Sequence, residues 1–145
     1  MAEMIPADQG RIITHVIPKP SIGVDFSGAM PVRTRWRIIA VIAWLTTDAT
    51  AVDRHATLRI GLGADTYVAI PLRQVMTASN AYTVCWFSGA DVPPITGGLT
   101  LVGNLPEKLL INNEMVIFSD TDNLETMDEW DEIFVLAEEW IEPLA

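Results

Sequence analysis

The chain is poor in sulfur, in imidazole and, past its midpoint, in base. One cysteine, Cys85, stands in 145 residues, and a single thiol cannot close an internal disulfide. Stability therefore has to come from packing, and a reducing site of synthesis is compatible. His15 and His55 are the only histidines, and with Cys85 they make no zinc-finger or HExxH spacing, so no structural zinc is expected. Long apolar runs are missing as well. The longest, IIAVIAWL from Ile38 to Leu45, falls far short of the roughly 20 residues that cross a bilayer as a helix, and no membrane partner is expected. The opening MAEMIPADQGR has no cationic segment followed by an apolar one, so no secretory signal is visible, although a processed mature chain would look the same.

Base is confined almost entirely to the first half: after Arg73, Lys108 is the only one. The formal charge of -10 opposes binding to a phosphate backbone, whose affinity comes largely from Lys and Arg displacing counterions. Nucleic acid is excluded as an expected partner. Reactive groupings are absent too. GLGADT, from Gly61, lacks the third glycine of a dinucleotide fingerprint and reads as a strand ending in a turn. The acids of DTDNLETMDEWDE, from Asp120, offer hard oxygen ligands but no glycine at the sixth place of an EF-hand loop. A solvated acidic turn is the simpler reading there, and a calcium ion the alternative. No G-x-S-x-G elbow or Ser-His-Asp grouping is suggested. The carboxylates are plentiful, but no facing pair with split acidities is read from them. Neither an enzymatic activity nor a cofactor is expected.

What the chain does have is alternation. Half of its residues are hydrophobic, which fits one domain around one core. In HATLRIGL, Ala56, Leu58, Ile60 and Leu62 point one way while His55, Thr57, Arg59 and Gly61 point the other, the period of a half-buried strand. In the preceding run Trp36, Ile38, Ala40, Ile42 and Trp44 share a face, and the other face passes from Arg35 and Arg37 to Ile39, Val41, Ala43 and Leu45. That strand begins exposed and ends covered on both sides. The link TTDATAVDR is rich in turn formers and joins the two as a loose, antiparallel hairpin.

Further strands are read at RIITHVI from Arg11, TYVAIPL from Thr66, AYTVCWF from Ala81, near GLTLVG at Gly98, and EMVIFSD from Glu114. Pro71 confines its strand to an edge or to its end, and DVPPITGG and GNLPEK cannot continue a ladder. Residues 1–33 form a strand followed by PKPSIGVDFSGAMP, whose prolines and glycines impose an extended path. The segment reads as an assembly arm ordered on a neighbouring subunit, with residues 34–145 as the sandwich of the same domain. The last segment, NLETMDEWDEIFVLAEEWIEPLA, is ambiguous: Leu124, Met127, Trp130, Phe134, Ala137 and Ile141 recur at helical spacing, yet Ile133 to Leu136 is apolar on both strand faces, as in a central strand between two layers.

RTRWRIIAVIAWLTTDATAVDRHATLRI and PEKLLINNEMVIFSDTDNLETMDEWDEIFVLAEEWIE together resemble a layout of small virion proteins of tailed bacteriophages. There a basic-Trp-basic strand precedes a TTDATAVDR-like turn, and the chain closes on a strand close to VLAEEWIE. The likeness spans about Arg33 to Glu142 and carries structural patterns with no catalytic signature. It implies an antiparallel, jelly-roll-like β-sandwich of about eight strands, in which the last segment is a strand. It also implies a place in the virion after synthesis in the host cytoplasm, as a head-decoration, head-fibre or tail-fibre component. The partners would be other capsid or tail proteins and further copies of the chain, with a trimer as the expected homo-oligomer.

Two groups of side chains are candidates for the assembly surface. Ten acids and no base lie between Asp120 and Glu142. Either the basic and acidic faces partly neutralise each other within one domain, or Arg33, Arg35 and Arg37 meet Glu138 and Glu139 of another copy. The five tryptophans read as core or strand-end packing, with Trp130 and Trp140, lying among acids, the ones expected to be partly exposed and to touch a second subunit. The alternative reading is a host-surface glycan-binding module that uses exposed aromatics and acids.

Overall fold

The computed structural model describes residues 10–63, 65–88, 99–112 and 114–141. No helix occurs among them. The strands are β1 (Arg11–Ile17), β2 (Ser27–Ala29), β3 (Thr34–Thr46), β4 (His55–Leu62), β5 (Asp65–Pro71), β6 (Ala81–Ser88), β7 (Thr100–Leu105), β8 (Leu110–Asn112), β9 (Val116–Asp122), β10 (Glu129–Trp130) and β11 (Ile133–Ile141). A larger sheet has the order β1-β11-β3-β6-β7, with β8 and β10 also paired to β3, and a smaller one the order β2-β9-β4-β5. All of these pairs are antiparallel except β6 with β7, which run parallel. The chain is thus the expected all-β sandwich. Its described strands exceed the expected eight because β2, β8 and β10 span three residues or fewer, too few for alternation to show.

Side chains of both sheets meet in one core that includes Leu58 and Ile60 of β4, Val84 and Trp86 of β6, and Ile133 and Val135 of β11. Trp86 ties the layers directly, its indole N–H donating to the Ile70 carbonyl at 3.0 Å. Gly103 makes that position possible, since a Cβ there would overlap the Trp86 ring. The sheets also approach closely at Gly28 of β2, where a Cβ would lie 2.6 Å from Ile17 of β1.

The hairpin expected between β3 and β4 does not form. The two strands belong to different sheets, and residues 47–54 cross from one layer to the other. Arg54 organises the crossing. Its guanidinium has five N–H donors, and all find acceptors: Nε and Nη2 on Asp128 at 2.9 and 3.1 Å, Nη2 on Asp48 at 2.8 Å, and Nη1 on the carbonyls of Thr50 and Val52 at 2.9 and 2.6 Å. Arg54 and Asp128 are both fully buried. Asp128 in turn accepts the backbone N–H groups of Asp48 and Glu125, so one ion pair fixes both the crossing and the turn before β10.

Bulges explain where simple alternation failed. Ala40 and Ile38 of β3 face the consecutive residues Leu136 and Ala137 of β11, leaving Ile39 as an extra residue that reverses the phase. Trp36 and Ile38 therefore point inward before it, and Val41, Ala43 and Leu45 after it, while Ile42 and Trp44 turn outward. A second irregularity follows Ile60, where a Cβ on Gly61 would collide with the Asp65 carbonyl. The extra residue there is Tyr67 of β5, so β4 keeps its phase against β9, and Leu62, exposed instead of joining Ala56, Leu58 and Ile60 in the core, is the last residue of its strand.

The stretch read as an arm contributes to both sheets of its own chain. β1 pairs along its length with β11, and β2 with β9. Between them Asp25 accepts hydrogen bonds from the Ser119 and Thr121 hydroxyls at 2.7 and 2.6 Å and from the Thr121 N–H at 3.1 Å. Ile17, Phe26 and Met30 are core residues. Residues 1–9 lie outside the described residues, as does DVPPITGG. GNLPEK breaks the ladder later than expected: Gly103 to Leu105 complete β7, and the chain turns at Pro106. Pro71 ends β5, the edge strand of the smaller sheet, and the last segment is the strand β11.

Leu58 is fully buried, so Leu58→Ala should lower unfolding stability by about 2–5 kcal/mol in urea titrations. Arg54→Ala leaves the Asp128 carboxylate buried without its counter-charge and should cost about 3–5 kcal/mol. Adding Asp128→Ala to it should cost far less than the sum of the single losses, the mark of a coupled pair.

Candidate functional site

Residues opposite one another in an antiparallel ladder share a face, and the registers of the larger sheet assemble an outer face strand by strand. β1 contributes Ile12 and Val16, opposite Glu138 and Phe134 of β11. β11 adds Leu136, opposite Ala40 of β3, and Phe134 lies opposite Ile42. Across β3, Ala40 and Ile42 face Phe87 and Cys85 of β6, and Cys85 neighbours Val102 of β7. Leu110 of β8 sits beside Arg37 and is exposed. One row of this face, Val16, Phe134, Ile42, Cys85 and Val102, is apolar across five strands, and the next, Leu136, Ala40 and Phe87, is flanked by Thr14 and Asn104; Ala40 and Cys85 are buried among their neighbours, while Val16 is exposed. Burial pushes the Cys85 thiol up, so it packs there as a small hydrophobe.

The two ends of the face differ in charge. At one end Arg35 lies over the Trp140 ring, its guanidinium carbon 5.9 Å from the centroid, within cation–π range. Arg37 donates Nε and Nη2 to one Glu138 oxygen at 3.0 and 2.8 Å. At the other end Trp44 and Phe134 meet edge to face, centroids 5.6 Å apart, and with Asp131 and Glu132 they line an open cleft of about 370 Å³. Trp44 is 39% exposed. Close by, Lys19 pairs with Glu129. The Glu129 hydrogen bond holds the ammonium above its ordinary range against desolvation, with Asp131 adding to the effect.

Arg35, Arg37, Glu138 and Trp140 do come together on this face, but within one chain: the register sets Arg37 opposite Glu138 and Arg35 opposite Trp140. Glu139 points inward and is buried. It accepts the Trp36 indole N–H at 2.9 Å and the Arg11 Nε and Nη2 at 3.1 and 2.7 Å. Arg37 and Glu138 therefore satisfy each other, and Glu139 is paired with Arg11, as in the first of the two readings, neutralisation within one domain. Trp130 is fully buried, edge-on to Phe26, so Trp44 and not Trp130 is the exposed indole. Trp140 is half-buried, with no acceptor for its N–H among the described residues. Arg33 stands in the turn before β3 with a φ of 60°.

The sequence reading passed over Trp44, Phe134, Asp131 and Glu132. A signal was present: Ile39 to Leu45 and Ile133 to Leu136 are apolar on both faces, the pattern of strands covered on both sides. In the fold their inner side packs into the core, and on their outer side Ile42, Phe134 and Leu136 are only half-buried and Trp44 is exposed. Among the described residues no group of three or more His, Cys, Asp or Glu side chains is placed to hold a metal ion. Asp128 of the acidic segment is committed to Arg54, and Asp120 pairs with Arg59 at 2.9 Å. No protein-family model matches the chain, and no curated protein matches it in sequence.

Glu139 gives this end of the sheet an acid dependence. Burial raises its carboxyl pKa, but the Trp36 N–H and the Arg11 guanidinium outweigh burial and leave it below the ordinary 4.5. A depressed folded-state pKa contributes stability that is present above the unfolded value and lost as pH falls through the folded one. Thermal stability should therefore decline as pH drops below about 4.5, and Glu139→Gln, less stable at neutral pH, should show a shallower acid decline.

Proposed function

We propose that the chain is a non-enzymatic structural protein of a tailed-phage virion, a jelly-roll-like module that docks on the capsid or tail and associates with copies of itself. The observation that carries this reading is the apolar outer face of the larger sheet. Water-facing sides of antiparallel sheets are ordinarily polar, and an exposed apolar patch rimmed by charge marks an interaction surface. The resemblance of the β3–β4 region and of the closing strand to small phage virion proteins supports the setting. Decoration and fibre components work by adhesion, which needs a rigid scaffold and a sticky face and no reactive group.

A second reading has its own observation. Trp44 and Phe134 beside Asp131 and Glu132 offer ring surface and carboxylates in one open cleft, the chemistry with which proteins hold sugars. A host-surface glycan would stack on the indole and donate its hydroxyls to the acids.

Particles assembled with Val16→Glu or Phe134→Asp protein should contain much less of the chain than wild-type particles, while circular dichroism of the isolated variants stays that of a sheet protein. Equal incorporation would remove the outer face from assembly. Titration with host-surface oligosaccharides, read by indole fluorescence in wild type and Trp44→Ala, decides the glycan reading: saturable quenching lost in the variant supports it, and no response sinks it.

A further inference from the structure

The geometry points to a second copy of this chain as the occupant of the outer face, packed about a two-fold axis that runs perpendicular to β3 and passes over Ala40. Each copy would place Arg35 in the Trp44–Phe134 cleft of the other, against Asp131 and Glu132. This rests on the assembly reading above and names its partner and geometry.

Three features select this arrangement. The first is charge. At the Arg35 end of the face two guanidiniums stand against one carboxylate, Glu138. At the cleft end three carboxylates, Glu129, Asp131 and Glu132, stand against one ammonium, Lys19. Among the described residues Arg35 forms no ion pair. A two-fold axis perpendicular to the strands brings unlike ends together, whereas one parallel to them sets like on like, a juxtaposition that costs several kcal/mol. Charge therefore chooses between the two ways in which identical sheets can meet face to face.

The second feature is shape. The cleft pairs aromatic ring surface with acids, the combination suited to a guanidinium, which stacks on rings and donates to carboxylates at once. Ala40, five residues from Arg35 and four from Trp44, lies near the midpoint of β3. Being small, it allows the two sheets to approach where the axis would pass. The third feature is area. Five strands about 4.8 Å apart and a patch about 25 Å long give a footprint of about 600 Å² per copy. About 1,200 Å² in total reaches the lower end of specific interfaces. Such a dimer is concentration-dependent in free solution and becomes firm when copies are held together on a larger assembly.

Sedimentation of the full chain tests this. The expected result is a dimer at tens of micromolar that weakens with salt, loses affinity at least about tenfold on Arg35→Glu, and is largely restored when Glu132→Lys is added to Arg35→Glu. Because both residues are at the surface, circular dichroism should stay unchanged. Orientation is read separately by mixing Arg35→Cys and Glu132→Cys proteins, each also carrying Cys85→Ser. Within one chain the two positions are about 30 Å apart, so a disulfide between them joins two molecules, and its excess over the 35–35 and 132–132 products supports the axis. A wild-type monomer at every concentration, a dimer indifferent to Arg35→Glu, or a predominance of like-with-like disulfides overturns the inference. A monomer that still enters particles would sink this dimer and leave the assembly role standing. A dimer of the stated geometry that no particle contains would do the reverse.

Discussion

The Arg54 guanidinium is a charge the interior cannot leave unpaired, and the paths of two chain segments follow from that. An isolated ion in a low-dielectric core is so costly that every donor must be answered. The answers come from the Asp48 and Asp128 side chains and the Thr50 and Val52 carbonyls. Residues 47–54 are thereby curled around the cation, and β4 begins in the smaller sheet, one layer away from β3. Asp128 holds the turn before β10, which pairs with the end of β3 at Thr46 and Leu45. The chain that leaves β3 and the chain that returns to it are thus fastened by one ion pair. A hydrophobic substitute of equal volume could be as stable, but it would not dictate which turns meet.

That pair shows where reading from sequence stops. TTDATAVDR announces a turn through its small polar residues, and a turn between alternating runs is most simply a hairpin. The partner that makes it a crossing instead is Asp128, 74 positions away, and nothing local points to it. Alternation, by contrast, was legible wherever the ladder was regular: Ala56, Leu58 and Ile60 are buried, and Pro71 stands at the end of an edge strand. It failed at Ile39, where one extra residue exchanges the two faces for the remainder of β3, and at Leu62, which ends β4 exposed. The pairing of residues 11–29 within their own chain has a related cause. PKPSIGVDFSGAMP has little strand character of its own, and it is ordered by Asp25 binding Ser119 and Thr121, groups supplied from β9.

The candidate site was legible in a different sense. Residues apolar on both faces of β3 and β11 were read as strands covered twice, and in the fold the outer side is only half-buried at Ile42, Phe134 and Leu136 and exposed at Trp44. The discrepancy is informative because the inner face already has its complement in the smaller sheet. The demand left over belongs to the outer face. The charges are complementary surfaces whose partners the sequence leaves open, because Arg35, Arg37, Glu138 and Glu139 are close in the ladder without all lying on one side of it. Strand parity puts Glu138 outside and Glu139 inside, and only register shows that Arg37 meets the first and Arg11 the second.

Association through a face, and not through an edge, also agrees with how the smaller sheet treats its edge strands. An open edge recruits any other strand and leads to unlimited assembly. The smaller sheet ends on one side in β2, three residues long, and on the other in β5, closed by Pro71, both poor templates for pairing. A face is more selective. Its apolar middle supplies most of the affinity, while the Arg37–Glu138 pair, already satisfied within the chain, adds little attraction between copies. Arg35 at one end and the acids around Trp44 at the other then act as register marks, favouring the orientation that joins unlike ends and penalising the one that joins like ends. A two-fold contact of that kind closes on itself, so the exposed apolar surface is used up at two copies and does not propagate.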